Sequence, residues 1–206
     1  QTYGEVRPGD IRYKDVNADG KIDDDDIVPI AHSNVPQIQY GFALEYRYKR
    51  WTISALFTGA AKVNFLYGGS GFYPFSGGEV GNILSIVNDP KNRWTPAWYS
   101  GDPSTENPNA RFPRLTYGEN KNNNRASTFW LADGSYLRWK SLDISYRIGT
   151  NKVLRTVGIR DMNLQFVGQN LAVWDSVKLW DPGQASKNGA VYPLQRTFSF
   201  QLTATF

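Results

Sequence analysis

The chain has 206 residues and 23.3 kDa, is 40% hydrophobic and 20% charged, and is long enough to bury a core of its own. With no cysteine and one histidine, disulfide frameworks, zinc–thiolate sites, iron–sulfur clusters and cysteine nucleophiles are excluded, and His32 leaves little for a His-based metal site or triad. The net charge of +4 comes from basic residues scattered among acids, so no nucleic-acid partner is expected.

Aromatic residues make up 15% of the chain and glycines number 19, a palette of strands and turns. No run approaches the ~20 apolar residues of a transmembrane helix. That excludes a helical membrane protein only, because strands of a transmembrane barrel alternate apolar and polar residues. The chain opens at Gln1 without a methionine or leader, so a signal peptide is expected to be removed or to lie upstream.

In chain order, the first informative segment is the acidic run Asp15 to Asp26. Oxygen donors fall at Asp15, Asn17 and Asp19, a glycine follows at Gly20, and Lys21 supplies a backbone carbonyl. Asp23 and Asp26 complete the ligand spacing of a calcium loop, Asp23 directly or through water. The last position is Asp where an EF-hand has Glu, and Pro29 forbids a long exiting helix, so a free-standing structural Ca2+ loop is expected. An acidic, solvated turn that binds nothing is the plainer alternative.

Strands follow. Phe42, Leu44, Tyr46 and Tyr48 alternate with small and charged residues, then Trp51, Ile53, Ala55 and Phe57 alternate with Thr52, Ser54 and Thr58. Lys49-Arg50 leaves room only for a tight turn, which makes these runs a hairpin. Residues 60–133 carry no sustained period and are rich in Gly, Pro, Asn and Trp. A second pair runs through Leu142, Ile144, Tyr146 and Ile148 and back through Met162, Leu164 and Phe166, with a bulge expected near Ser141, where Leu137 and Trp139 change phase. Another irregular stretch, 174–191, precedes the cleanest strand, in which Phe198, Phe200, Leu202, Ala204 and Phe206 alternate with Thr, Ser and Gln.

The fold class is therefore all-β, with about five strands, short turns at one end and long loops at the other. The polar set is mostly small and uncharged and the apolar set aromatic, as a lipid-facing wall around a polar lumen demands. Single-chain barrels need about eight strands or more, so these five belong to a larger barrel, as the C-terminal part of a longer polypeptide or one piece of a nicked one. Short turns are periplasmic in such barrels. Residues 1–39, 60–133 and 174–191 are then extracellular, and the chain divides into segment 1–39 with the calcium-type loop and segment 40–206 with the barrel strands.

The segments PGDIRYKDVNADGKIDDDD at 8–26, YGFALEYRYKRWTISALFTG at 40–59, RWTP at 93–96, DGSYLRWKSLDISY at 133–146, VGQNLAVW at 167–174 and YPLQRTFSFQLTATF at 192–206 stand in this order. Together they resemble the C-terminal barrel region of the SusC/RagA-like TonB-dependent outer-membrane transporters of Bacteroidetes. The resemblance implies a 22-stranded barrel in the cell outer membrane, plugged by an N-terminal domain, energised by TonB and capped by a SusD-like lipoprotein. It implies import of oligosaccharides, with oligopeptides as the main competitor. The plug and most strands would lie in a larger chain, and Phe206 would be the terminal aromatic of the barrel-assembly signal. Outer-membrane lipid and lipopolysaccharide are further expected neighbours.

Trp94, Trp98, Tyr99, Trp130, Trp174 and Trp180 fall in the long loops, and their flat faces suit sugar stacking, although packed loop cores or a docking surface need the same residues. Phe72, Tyr73 and Phe75 share a glycine-rich patch. Arg93, Arg111, Arg114 and Arg125 are candidates for lipopolysaccharide phosphates or the partner. Glu45, Arg47, Thr52 and Gln165 are expected to face the lumen. No residue set supports catalysis, so the chain is read as a non-enzyme. The competing class is a secreted, calcium-dependent carbohydrate-binding β-sandwich.

Overall fold

A computed structural model describes residues 1–76, 81–149 and 151–206. The period-two runs form long strands: β1 Ile38–Tyr48, β2 Trp51–Ala61, β5 Tyr136–Arg147, β6 Asp161–Asp175 and β7 Thr197–Thr205. Two short strands, β3 Asn64–Leu66 and β4 Leu131–Asp133, pair with each other. The long strands make one antiparallel sheet in the order β1-β2-β5-β6-β7. Among the described residues no helix is long and apolar enough to cross a membrane.

Register turns the alternation into two faces. On one face Tyr48, Trp51, Tyr146, Leu164 and Leu202 lie in a row across all five strands, and Tyr46, Ile53, Ile144, Phe166 and Phe200 form the next. On the other, Arg47, Thr52, Ser145, Gln165 and Gln201 are aligned, and Glu45, Ser54 and Asp143 fall in the adjacent row. Since neighbouring side chains point to opposite sides of a strand, these rows cannot share a face.

The expected bulge is present, one residue earlier than Ser141. Lys140 has no partner on β2, where Leu56 pairs with Ser141 and Phe57 with Trp139, and it stands opposite both Asn170 and Leu171 on β6. Asn170 takes φ 53°, the left-handed geometry that short polar side chains tolerate best. The bulge restores the aromatic face: Trp139 falls back into line with Phe57 and stacks on it at 5.7 Å.

The β1–β2 turn is Lys49-Arg50, with Lys49 at φ 54°. Residues 148–160 join β5 to β6 and include one helical turn, Lys152–Thr156, capped by the Asn151 side chain accepting from the Leu154 N–H. The other three connections, before β1, between β2 and β5 and between β6 and β7, meet the opposite end of the sheet.

The chain forms two compact units. One comprises Gln1–His32, Phe65–Ala132 and Ser186–Ala190, and the other Ser33–Asn64, Asp133–Ala185 and Val191–Phe206. Residues 1–39 therefore do not stand apart: most of them fold with the long segment between β2 and β5. The first unit has an aromatic core of Phe65, Phe72, Phe112 and Trp130 with Val87. Tyr67 stacks on Phe72 at 5.2 Å, and Trp130 meets Phe72 edge-on at 5.5 Å. Burying such rings is the main stabilising term of a segment with so little regular structure.

The second unit is the sheet. Its outer strands β1 and β7 are exposed along nearly their whole length, including Phe42, Leu44, Phe200 and Leu202. Each carries one side of unpaired backbone groups, which demand further strands. A soluble sandwich would need a second sheet of similar size, and among the described residues the other sheet has two strands of three residues.

Candidate functional site: a two-faced wall, an acidic loop and an aromatic cleft

The sheet is the first functional element. Phe42 stacks on Phe57 at 5.0 Å, Trp51 meets Tyr146 at 4.6 Å with the rings tilted by 43°, and Phe166 packs on Phe198 and Phe200 at 6.0 and 5.0 Å. The opposite face is hydrogen-bonded within itself: Gln165 donates to Asp143, and Arg47 pairs with Glu45 at 2.5 Å. Glu45, Arg47, Thr52 and Gln165 thus share the polar face, as the alternation requires.

At the long-loop end, Arg138 and Asp181 form a buried ion pair. Arg138 Nη2 donates to both carboxylate oxygens at 2.6 Å, and a Cβ on Gly183 would stand 3.1 Å from Asp181 Oδ1 and 3.2 Å from the Tyr136 hydroxyl. The pair fastens the chain around Asp181 to β5. Sequence reading did not find it; the only trace was the charged Arg138 between Leu137 and Trp139.

In the acidic segment the polypeptide curls around its own carboxylates. Asp15 accepts from the N–H groups of Ala18 (2.6 Å) and Gly20 (2.9 Å), Asn17 Oδ1 from Asp19 N–H (3.0 Å), and Asp19 from Lys21 N–H (2.8 Å). Asp26 closes the circle by accepting from Val16 (2.6 Å) and Asp23 (3.0 Å). These bonds, with the Asn17 N–H, hold the Asp26 carboxyl below its ordinary pKa. Gly20 takes φ 84° at the sharp turn. The exit is a single 3-10 turn, Asp24–Asp26, and then extended chain, in accord with Pro29. Among the described residues no three His, Cys, Asp or Glu side chains gather as a metal-holding group.

Beside this segment lies a hub that the sequence did not single out. Asp10, its side chain 0% exposed, accepts from Arg7 N–H (2.8 Å), Asn123 Nδ2 (2.7 Å), Asn120 Nδ2 (3.2 Å) and Arg114 Nη2 (2.9 Å). Four donors from two distant chain segments meet one carboxylate. The available signal was Pro8-Gly9-Asp10, a turn that leaves an Asp facing backward.

Next to the hub is a cleft of about 600 Å³ lined by residues 9–14 together with Trp94, Phe112 and Phe129. Gly9 has φ +87°, and a Cβ there would stand 2.2 Å from Trp94, so only glycine lets this ring close the wall. Tyr13 donates to the Asn122 carbonyl at 2.6 Å, and burial pushes its phenol up to about 12. Burial also raises Tyr73.

The predicted stacking residues separate by burial. Trp98 and Tyr99 are 84% and 68% exposed and meet edge-on at 5.9 Å, offering open ring faces. Trp94 is half-buried in the cleft wall, and Trp180 is half-buried in the second unit. Trp130 is 2% exposed, its Nε1–H bonded to the Asn123 carbonyl at 2.7 Å, so it is a core residue with no face to offer a sugar. Phe72 is likewise core, and Phe75 packs on Tyr117 at 5.6 Å.

Two of the four arginines are consumed inside the first unit. Arg93 is buried and donates to the Val87 and Asn88 carbonyls, and Arg114 serves Asp10. Arg125 pairs with Asp24 at 2.7 Å while lying 3.6 Å over the Tyr3 ring. Arg111 is exposed.

No family model matches the chain. Among curated proteins it is similar to TonB-dependent receptor P26 of Formosa agariphila, 27% identical over 96% of this chain, and to TonB-dependent receptor P3 of the same organism, 24% identical over 98%. It spans about a fifth, 20%, of the length of each. Among solved structures it is similar to the RagAB peptide importer in its open-open state (TM-score 0.63, 20% identity, 90% of this chain, 19% of that one) and in its closed-closed state (TM-score 0.62, 20% identity, 91% and 20%). At that identity the likeness speaks for the fold.

Proposed function

Because the chain is a segment of a SusC/RagA-like TonB-dependent receptor of the outer membrane, we propose that it supplies five wall strands and part of the outer loops of a plugged nutrient-import barrel. The observation that carries this is the register: an aromatic face and a polar face continue across five strands, and both edges of the sheet demand neighbours. The wall turns its rings to lipid and its Arg47, Thr52 and Gln165 row to the lumen. TonB drives the cycle through the plug in the rest of the receptor, and a SusD-like lipoprotein caps the loops. The chain does no chemistry of its own.

Oligosaccharide is the proposed cargo, supported by the open ring faces of Trp98 and Tyr99, since flat aromatic surfaces suit sugar rings. Oligopeptide is the second reading, favoured by the name of the RagAB peptide importer. Calcium belongs to the same proposal. Each loop carboxylate retains unused lone pairs beside its backbone bonds, and Ca2+ held by Asp15, Asn17, Asp19, Asp23, Asp26 and the Lys21 carbonyl would relieve their mutual repulsion. Its role there is structural.

The test is purification of the complete receptor from native outer membrane in mild detergent, followed by intact-mass analysis of what accompanies it and uptake assays with matched labelled oligosaccharides and oligopeptides. Co-purification with a lipoprotein and saturable oligosaccharide uptake support the proposal. Uptake of peptides alone replaces the cargo, and a receptor that stays monodisperse without detergent overturns the barrel.

A further inference from the structure

The end of the sheet that carries the short turns holds an uncompensated group of cations. Lys49 and Arg50 form the β1–β2 turn, and Lys152, Arg155 and Arg160 lie in the β5–β6 connection, all exposed. The two turns touch. Arg147 N–H donates to the Arg50 carbonyl at 2.9 Å and Arg50 Nη1 to the Ile148 carbonyl at 2.8 Å, while Arg160 N–H bonds the Thr205 carbonyl at 2.7 Å.

The acids nearby are already committed. Glu45 is paired with Arg47 at 2.5 Å and Asp161 with Arg147 at 3.0 Å. Among the described residues Lys49, Lys152, Arg155 and Arg160 make no ion pair, and Lys49 only lies 5.1 Å from the Tyr48 ring centre. Like charges gathered without a counterion repel, so a group of four calls for an anion.

Depth identifies that anion. The aromatic row Tyr48, Trp51 and Tyr146 is the last one before the turns, and rings of this kind sit at the boundary between hydrocarbon and headgroups. Lys49 and Arg50 follow that row by one residue, and each residue of a strand advances ~3.3 Å. They therefore stand at the level of lipid phosphates. In the β5–β6 connection the cations alternate with Val153 and Val157, which are 74% and 62% exposed. Apolar side chains left bare among free cations are the composition of a segment lying in a membrane interface.

We propose that the short-turn rim, through Lys49, Lys152, Arg155 and Arg160, binds anionic phospholipid headgroups of the leaflet on that side of the membrane, with Val153 and Val157 seated among the upper acyl carbons. The proposal rests on the barrel reading above. It adds a lipid preference at the turn end, where loop-bound cargo and the lipoprotein have no part.

The test places the complete receptor in nanodiscs of mixed phosphatidylcholine and phosphatidylglycerol and measures which lipid stays bound after mild delipidation. Cations near a membrane surface are worth about fivefold in binding each. The unmodified receptor is expected to retain phosphatidylglycerol over phosphatidylcholine by roughly tenfold or more, and Lys49→Gln/Lys152→Gln/Arg155→Gln/Arg160→Gln to retain the two alike. A Lys49→Arg/Lys152→Arg receptor keeps the preference, and raising the salt concentration removes it.

Equal preference in the unmodified and the fourfold variant overturns the proposal. So does a variant that keeps its lipids but loses an acidic periplasmic protein, which would make the rim a protein-docking surface. Heat-modifiable migration on gels, run on every sample, reports barrel formation separately. Its absence in the unmodified receptor would sink the barrel reading itself, whereas a folded barrel without lipid preference sinks only this inference.

Discussion

Replacing Asp10 by Ala removes the one anion that four donors share. Arg114 is left with its side chain 17% exposed and without its carboxylate, Asn123 Nδ2 loses its acceptor, and Asn120 Nδ2 keeps only Thr116 Oγ1 at 3.0 Å. Stripping the partner from a buried charge costs about 3–5 kcal/mol, since the remaining ion cannot recover its hydration. The loss is local. It falls on the contact between residues 7–14 and 112–124, where Ile11 N–H bonds Asn123 Oδ1 at 2.9 Å and Arg114 N–H bonds the Gly9 carbonyl at 2.9 Å. Amide hydrogen exchange of the complete receptor, read by mass spectrometry at these two positions, should accelerate roughly 10²–10⁴-fold if the segment opens locally. Asp10→Ala/Arg114→Met removes both charges and should recover more than half of that protection, because no uncompensated ion remains. Exchange in Asp10→Ala within about threefold of the parent, or a double variant showing the plain sum of the two single effects, would refute the reasoning.

Calcium should slow exchange of the amides in segment 15–26, by about 100-fold at ~100 times the dissociation constant, and Asp15→Asn/Asp19→Asn should abolish the effect; identical exchange in calcium and in chelator would remove the ion from the loop. The Asp26 carboxyl titrates below its ordinary 3.8 because the Val16, Asp23 and Asn17 N–H groups favour its ionised form, so protection of the Val16 amide is complete above pH 3.8 and disappears as pH falls through the lowered value. Protection already lost at neutral pH would contradict this. Tyr13 has the opposite sign: its raised pKa favours the neutral phenol, a contribution fully present below pH 10 and lost as pH rises through about 12. Tyr13→Phe should delete one late component from the ultraviolet phenol titration and weaken the segment by about 1–2 kcal/mol through the lost bond to the Asn122 carbonyl. An unchanged titration would show that Tyr13 ionises with the exposed phenols. Trp130→Ala should cost the first unit about 3–5 kcal/mol in local stability, while Trp98→Ala/Tyr99→Ala leaves exchange unchanged and lowers oligosaccharide uptake. Equal uptake in the latter and its parent would reassign those rings.

The sheet was legible because its information is local. Period two, the tight Lys49-Arg50 turn, the phase change before Ser141 and the uncharged polar set each follow from residues adjacent in the chain, and cross-strand register then followed the alternation. Five strands with two bare edges likewise imply a larger barrel from strand number alone. The first unit was not legible in this way. Asp10 meets Asn120 and Asn123 across more than a hundred residues, Trp130 turns inward while Trp98 stays in solvent, and Arg93 and Arg114 become internal ties. A sequence shows that a tryptophan or an arginine is available, but only the closure of long loops decides which ring is buried and which charge finds a partner, because those outcomes depend on contacts between distant segments. The acidic run stands between the two cases: its spacing puts the carboxylates in one short turn, and its fold drew Asp26 back to Val16 through backbone bonds that no spacing alone dictates.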